Sequence, residues 1–142
     1  VTLYKGKTAT QTATVTGSDA AVVYTSSNTK VATVNKSTGK VTAKAAGKAV
    51  ITAKCGDVTA KYTVNVKNPT LKLSKTSASV KVGKITKITA KATPSGKVTY
   101  KSSNKKVATV SSKGVVKGIK KGTAKITVTC NGVSKTFKVT VK

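Results

Sequence analysis

The stretch Tyr24-Thr-Ser-Ser-Asn-Thr-Lys-Val-Ala-Thr-Val34 occurs again, with two residues changed, as Tyr100-Lys-Ser-Ser-Asn-Lys-Lys-Val-Ala-Thr-Val110. The similarity continues at an offset of 75 residues, where Gly47 corresponds to Gly122 and Cys55 to Cys130. A repeat of this length is too large for a solenoid and matches a small complete domain. The chain therefore consists of two tandem copies of one module.

The composition limits what each module can do. The chain has 142 residues, so each module has about 70 and depends on a compact, well-patterned core. All 28 basic residues are Lys, the only acids are Asp19 and Asp57, and the net charge is +26. No apolar run is long enough for a transmembrane helix. We find no signal peptide and expect a mature chain or an excised fragment.

Apolar and polar residues alternate through most of the chain, which is typical of strands with one buried face. Ile126, Val128 and Cys130 follow this pattern, and Asn131-Gly132 after them is a strong hairpin signal. We expect second-copy strands near residues 71–74, 78–82, 85–93, 97–102, 106–110, 114–118, 122–130 and 133–141. The number and spacing of these strands predict an all-β fold: two tandem immunoglobulin-like β-sandwiches, antiparallel, in an end-to-end array.

Aligning the copies predicts the domain boundaries. We expect one domain at residues 1–67, a short linker at 68–70 and a second domain at 71–142. Val1 aligns with about Ala78, so the first copy has no counterpart of Leu71-Lys-Leu-Ser74, and we expect either that the chain is cut from a longer array or that its start was not retained. Pro69 limits Asn68 to extended conformations, which predicts restricted bending between the domains.

Both copies carry a longer ordered pattern: Ser-Ser-Asn-x-x-Val-Ala-Thr-Val, Gly-x-Val, Gly-x-Ala-x-Ile-Thr, and an apolar terminal strand. It occurs at residues 26–34, 39–41 and 47–52, and again at 102–110, 114–116 and 122–127. In this pattern nearly the whole chain resembles the group-2 bacterial immunoglobulin-like family.

The resemblance implies modules of bacterial surface proteins, adhesins of the intimin and invasin kind, secreted glycan-degrading enzymes or phage structural proteins. Such modules often act as spacers. Some members bind host or calcium ligands, but the family has no universal functional residues to carry over. The chain departs from a common pattern in having Tyr24 and Tyr100 where many members have Trp.

Catalysis and metal binding are poorly supported by the residues present. General acid–base catalysis needs a group that titrates near neutral pH, and the chain has no His and no Glu. Calcium needs several oxygen ligands, which two Asp do not supply. A Lys–Asn isopeptide crosslink normally needs a neighbouring acid, which the second copy lacks. Amine chemistry by a buried Lys is the remaining option. We expect no enzyme, no metal and no cofactor.

The residues that the copies share are explained by the fold. Cys55 and Cys130 occupy equivalent positions about one module apart, so we expect two buried free thiols and no disulfide. The Ser-Ser-Asn triplets are expected to stabilise turns by bonding to nearby backbone groups. The aromatic residues fall mostly on the core-facing phase of the strands, which leaves no platform for stacking on sugars or bases.

The copies differ most in their lysines. Residues 1–69 carry 10 Lys and both Asp, for a net charge of +8, whereas residues 70–142 carry 18 Lys and no acid, for +18. Alternate loops of such a sandwich lie at the same end, which predicts a cluster of second-copy lysines at the C-terminal end: Lys84, Lys105, Lys106, Lys120 and Lys121. This cluster is a candidate polyanion-binding site. The alternative is that the lysines are solvated residues that resist edge-to-edge aggregation.

The matching loops of the first copy contain fewer lysines. Ala45 and Ala46 stand where the second copy has Lys120 and Lys121, at the end that should face the neighbouring module. We therefore expect a packed interdomain junction formed by Ala45, Ala46, Asn68 and Pro69.

Two functions are compatible with these observations. The first is a non-enzymatic extracellular spacer in a bacterial cell-surface or secreted protein, supporting adhesion or the display of another domain. The alternative is a cationic module that attaches the protein to anionic cell-wall polymers or acidic glycans. Nucleic acid would bind only nonspecifically, since Lys without Arg gives no bidentate base readout. We expect a monomeric fragment whose partners include neighbouring domains of a longer polypeptide.

Overall fold

The computed structural model describes residues 1–142 and contains sixteen β-strands and no helix, which confirms the all-β prediction. Contacts within the chain divide it into two units, Val1–Asn68 and Pro69–Lys142. The last strand of the first unit ends at Lys67 and the first strand of the second begins at Thr70, so Asn68 and Pro69 lie between them.

The first unit has seven strands. They are β1 (Thr2–Tyr4), β2 (Thr8–Thr10), β3 (Val23–Ser26), β4 (Ala32–Val34), β5 (Lys40–Ala43), β6 (Gly47–Cys55) and β7 (Val58–Lys67). One sheet has the order β1-β7-β6-β3 and the other β2-β5-β4. Residues 11–22, between β2 and β3, form no strand.

The second unit has nine strands. They are β8 (Thr70–Leu73), β9 (Ser77–Val80), β10 (Ile85–Lys87), β11 (Ala90–Thr93), β12 (Thr99–Ser102), β13 (Ala108–Val110), β14 (Val115–Gly118), β15 (Gly122–Cys130) and β16 (Val133–Val141). One sheet has the order β12-β15-β16-β9. Strands β10, β14 and β13 form a second sheet, and β8 pairs with β11.

The predicted strand at residues 85–93 is divided into β10 and β11. The division occurs because this segment changes partner: Ile88 N donates to Gly114 O at 2.8 Å, whereas Thr89 O accepts from Ser74 N at 3.0 Å. The first half therefore pairs with β14 and the second half with β8.

Each unit has one parallel pairing among its antiparallel ones. Strand β1 runs parallel to β7, and β9 runs parallel to β16. In the second unit β8 pairs with β11, and the next strand, β9, joins the other sheet beside β16. The description of the sandwiches as antiparallel is therefore accurate for all pairings except these two.

The cores are built by the alternation seen in the sequence. In the second unit Phe137, Ile126 and Ile88 are at most 2% exposed. In the first unit Ile51 and Val64 are fully buried. Both Cys55 and Cys130 are buried and free, as the sequence predicted. The hairpin between β15 and β16 turns through Asn131 in the left-handed region, with a φ of 52°.

One glycine of the core lies close to a tyrosine ring and to the backbone of a distant segment. Gly114 has a φ of +81°, and a Cβ there would lie 2.8 Å from Tyr100 Cζ and 2.9 Å from the carbonyl oxygen of Ile88. Any side chain would therefore be strained by the backbone and would collide with the core.

Candidate functional site

The repeated Ser-Ser-Asn motif forms a turn that presents Lys105 and Lys106. Ser102 Oγ donates to Ala108 O at 2.6 Å, and Asn104 Oδ1 accepts from Lys106 N at 3.1 Å. In the first unit Ser26 Oγ makes the same bond to Ala32 O at 2.7 Å. These bonds confirm the interpretation of the motif as turn-forming, and they fix the backbone from which the two exposed lysines project.

Two further lysine-bearing loops are joined to this turn by backbone hydrogen bonds. Val107 O accepts from Ile119 N at 2.8 Å and from Lys120 N at 3.2 Å. On the other side of this loop Gly118 N donates to Lys84 O at 3.0 Å, and Gly118 O accepts from Gly83 N at 2.8 Å. The fold thus brings together the five predicted residues Lys84, Lys105, Lys106, Lys120 and Lys121, all of them exposed. We call these five the lysine-rich end.

Sequence reasoning missed two lysines at the same end of the unit. Lys142 N donates to Val80 O at 2.9 Å, and Lys142 O accepts from Val82 N at 3.2 Å. Lys81 lies in the turn closed by the bond from Lys84 N to Lys81 O at 3.0 Å. The prediction that the last strand ends at this pole was the signal that would have added Lys142.

The lysine-rich end also contains exposed apolar side chains. Val82, which follows Lys81, is 52% exposed. Ile119, which follows Gly118, is 42% exposed. The backbone bond from Lys44 N to Val31 O at 2.8 Å matches that from Ile119 N to Val107 O, so the first unit has Lys44 where the second has Ile119. The two ends therefore differ in apolar content as well as in lysines.

The first unit has the same loop arrangement with different side chains. Ala45 N donates to Val31 O at 3.2 Å, as Lys120 N does to Val107 O, and Ala46 follows as the counterpart of Lys121. Asn68 and Pro69 lie between β7 and β8. The packed junction assigned to these four residues stays a prediction.

Two tyrosines are the titratable groups whose pKa values are shifted in the structure. Burial raises the pKa of Tyr62, to which the neighbouring Tyr24 adds, and burial also raises the pKa of Tyr100. Both phenols are therefore neutral near pH 7 and are poor nucleophiles. No three His, Cys, Asp or Glu residues lie close enough together to hold a metal ion. The structure also has no helix that is long and apolar enough to cross a membrane. What the lysine-rich end can do chemically is attract anions.

Comparison with known proteins gives one family and several structures. The family model for the bacterial Ig-like domain (group 2) matches residues 1–66 and 69–141. No curated protein sequence matches the chain. A crystal structure of the S-layer protein rSbsC is 29% identical with a TM-score of 0.43, and the match covers 90% of this chain and 21% of that one.

A second similar structure is that of a C-terminal fragment of intimin bound to the intimin-binding domain of the translocated intimin receptor. It is 22% identical with a TM-score of 0.50, and the match covers 87% of this chain and 52% of the fragment. At this identity the likeness is one of fold. The chain spans less than two thirds of the length of either structure.

Proposed function

Because the chain belongs to the group-2 bacterial immunoglobulin-like family, we propose that its units are extracellular structural modules of a bacterial surface or secreted protein. They hold an adhesive or catalytic domain away from its point of attachment and perform no chemistry themselves. Family membership of both units supports this role, as does the use of the repeated residues for turns and core.

The observation that carries the proposal is the parallel pairing in each unit. A spacer on a cell surface is pulled from both ends. In the first unit β1 is the first strand and β7 the last, and they run parallel with Leu3 opposite Val66. Tension on the two ends therefore slides these strands along each other, so that their hydrogen bonds must break together instead of one at a time.

The bonds that would carry this load flank the paired residues. In the first unit Asn65 N donates to Val1 O at 2.8 Å and Lys5 N to Lys67 O at 2.9 Å. In the second unit Lys138 N donates to Thr76 O at 2.9 Å, and the bonds of Lys142 with Val80 and Val82 close the other end. The second unit has the same parallel pair, but there β8, which pairs with β11, precedes β9 and is loaded first.

Single-molecule force spectroscopy on the chain, held at its two ends, tests the spacer role. We expect two separate unfolding events, each releasing on the order of 200 Å of chain, since about 70 residues extend by at most about 3.3–3.6 Å each. Gradual extension without distinct force peaks would refute the role as a load-bearing spacer.

A single substitution sharpens this test. The turn Lys81–Lys84 has Val82 at its second position and Gly83 with a φ of +81° at its third, a type II geometry that accepts Pro at the second position. Val82→Pro removes the N–H that donates to Lys142 O and keeps the turn. It should lower the force of one event only, whereas Val82→Ala, which keeps the N–H, should leave both forces unchanged.

The second candidate function is attachment to an anionic polymer through the lysine-rich end. It is supported by the backbone bonds that hold three lysine-bearing loops together, and by the absence of any acid in the second unit. Fixed neighbouring cations bind a polyanion mainly by releasing its counterions, so the affinity falls steeply with salt. Anionic wall polymers and acidic glycans present the required repeating charge.

Chromatography on immobilised poly(glycerol phosphate) tests this candidate with a charge-matched control. One variant replaces Lys105, Lys106, Lys120 and Lys121 by Ser. The control replaces four exposed lysines elsewhere in the same unit by Ser: Lys72, Lys91, Lys113 and Lys135. We expect elution at clearly lower salt for the first variant only, with a salt slope reduced by about 0.7–0.9 for each lost contact. Equal losses in both variants would mean that only net charge matters and would reject a site.

A further inference from the structure

The lysine-rich end lies beside all the exposed large apolar side chains of the second unit. These are Val82, Ile85 and Ile119, which are 52%, 65% and 42% exposed. Val82 lies in the turn closed by Lys84 N, Ile85 follows that turn, and Ile119 comes directly before Lys120. We call these three side chains the apolar patch.

Backbone pairing places two side chains of the apolar patch next to each other. Ile85 lies opposite Lys117 in the pairing of β10 with β14. The next pair is joined by the bond from Gly118 N to Lys84 O at 3.0 Å, and Ile119 follows Gly118. Ile119 has the outward phase of the exposed Lys117, so Ile85 and Ile119 are diagonal neighbours, roughly 7–8 Å apart. Both lie on the outer face of the sheet of β10, β14 and β13.

The first unit has polar residues at the three positions of the apolar patch. The turn closed by the bond from Lys7 N to Tyr4 O at 2.9 Å corresponds to the turn of Val82, and the pairing of β2 with β5 corresponds to that of β10 with β14. The counterparts, all of them exposed, are Lys5, Thr8 and Lys44. The unit with the larger positive charge is therefore also the one that exposes apolar side chains at this end.

An apolar patch among lysines fits an anionic lipid bilayer better than other partners. A hydrophilic polyanion neutralises lysines but has no apolar phase for the patch. The buried centres of protein interfaces are depleted in Lys, and a second copy of residues 70–142 would bring another 18 Lys and no acid. A bilayer with anionic headgroups offers charge for the lysines and an acyl boundary for the apolar side chains. The long lysine side chains can keep their ammonium groups at the headgroups while the apolar side chains insert.

We propose that the second unit docks on an anionic lipid bilayer through the lysine-rich end, with the apolar patch inserted at the headgroup level. The inference rests on the cationic attachment role of the lysine-rich end and adds the surface that the apolar patch selects. Each lysine near an anionic surface strengthens binding about fivefold. The insertion of the apolar patch adds affinity that salt does not screen.

Sedimentation of the full chain with lipid vesicles tests the proposal. The vesicles contain equal amounts of phosphatidylglycerol and phosphatidylcholine, and vesicles of phosphatidylcholine alone are the neutral control. We expect saturable binding to the anionic vesicles only. The variant with Lys105, Lys106, Lys120 and Lys121 replaced by Ser should bind them at least about a hundredfold more weakly, because each lysine contributes about fivefold.

A second variant removes the apolar patch without changing the charge. It carries Val82→Ser, Ile85→Thr and Ile119→Ser, and it should bind anionic vesicles at least about tenfold more weakly, because burial of even one such side chain contributes about that much. Its elution from poly(glycerol phosphate) should equal that of the original chain. The matched control, which should bind vesicles as the original chain does, replaces by Ser the exposed large apolar residues of the first unit: Val1, Val23 and Val58. Amide NMR spectra report that both variants are folded.

A fluorescent probe locates the inserted surface. The chain has no Trp, so Ile85→Trp adds a single fluorophore at the apolar patch, and Val58→Trp adds one at the start of β7. Trp at the headgroup level of a bilayer has its ring in a partly apolar environment. Anionic vesicles should therefore shift the emission of Ile85→Trp to shorter wavelength and leave that of Val58→Trp unchanged.

Three results would overturn the proposal. One is equal binding of the patch variant and the original chain to anionic vesicles, and another is the absence of such binding while poly(glycerol phosphate) retains the chain. Both would reject the lipid partner and leave attachment to a polymer intact. The third is a dimer of the chain that dissociates in the patch variant, since this would make a second copy the occupant. Binding to anionic vesicles without retention on poly(glycerol phosphate) would instead reject the polymer and support the lipid surface.

Discussion

Replacement of Gly114 by Ala should destabilise the second unit more than any comparable change at its surface. The left-handed conformation of Gly114, with a φ of +81°, costs about 1–2 kcal/mol for a residue with a Cβ. The added Cβ would also lie 2.8 Å from Tyr100 Cζ and 2.9 Å from Ile88 O. The second of these is a backbone atom of a residue whose own N–H donates to Gly114 O at 2.8 Å, so relief of the contact requires the backbone to move. Overpacking of this kind costs about 1–3 kcal/mol.

Gly83 is a matched control for this change. It also has a φ of +81°, but no atom lies within 4 Å of its Cβ position. Gly83→Ala should therefore lose only the conformational term of about 1–2 kcal/mol, and Gly114→Ala about 2–5 kcal/mol in total. The lower unfolded-chain entropy of Ala stabilises both variants equally and cancels in the comparison. Against a total stability of about 5–15 kcal/mol for a small domain, the larger loss is severe.

Urea titration followed by two-dimensional NMR measures the two losses. Signals of residues 70–142 report the second unit, and those of residues 1–67 provide an internal standard within the same chain. The free energy of unfolding follows from the midpoint and slope of each transition. If the two variants differ by less than about 0.5 kcal/mol, the close contact with Tyr100 and Ile88 does not limit this position and the reasoning is refuted.

Three further predictions concern single side chains, each measured by the same urea titration. Ser102→Ala should cost the second unit about 1–2 kcal/mol, because it leaves Ala108 O buried without the 2.6 Å bond from Ser102 Oγ, whereas Ser112→Ala at an exposed turn should be neutral. Tyr62→Phe should not destabilise the first unit, because the Tyr62 hydroxyl makes no hydrogen bond and Phe137 occupies the equivalent position; a loss above about 1 kcal/mol would reveal a partner for that hydroxyl. Burial raises the pKa of Tyr100, so the contribution of this phenol to stability is complete below about pH 10, the ordinary tyrosine value, and is lost as the pH rises through the higher folded-state pKa. The midpoint of Tyr100→Phe should therefore fall less between pH 9 and pH 11 than that of the original chain, and parallel falls would contradict the assignment.

The strand content was predictable because the repeat and the alternation of apolar and polar residues indicated the same strands. The repeat defined a module of about 70 residues, and alternation across residues such as Ile126, Val128 and Cys130 placed one face in the core. The Ser-Ser-Asn turns were predictable because short polar side chains bond to nearby backbone groups. The alternation and the turns are local properties of the chain, and the repeat is visible by direct comparison of the two copies.

What the sequence did not predict depends on contacts between distant segments. The parallel pairing of β9 with β16 requires the chain to change sheets after β8, and alternation does not encode which edge a strand joins. The break between β10 and β11 arises from the same cause, since Ile88 and Thr89 bond to different strands.

The lysine-rich end was predictable in part. A rule that alternate loops share one end was sufficient to group the loops of Lys84, Lys105 and Lys120. It gave no information on residues just beyond the loops, such as Lys81 and Lys142. The exposed Ile119 was missed because the comparison of the copies followed charge, and an apolar residue next to Gly118 would ordinarily be assigned to the core.

The single buried thiol in each unit can report whether that unit has unfolded under tension. Cys55 and Cys130 are 6% and 2% exposed, and neither is joined to another cysteine. A thiol reagent present while the chain is stretched would mark only the unit that opened, and mass spectrometry of the cleaved chain would then identify it. Because no disulfide restrains either unit, a unit that unfolds and refolds without reacting with the reagent can be stretched again in the same experiment.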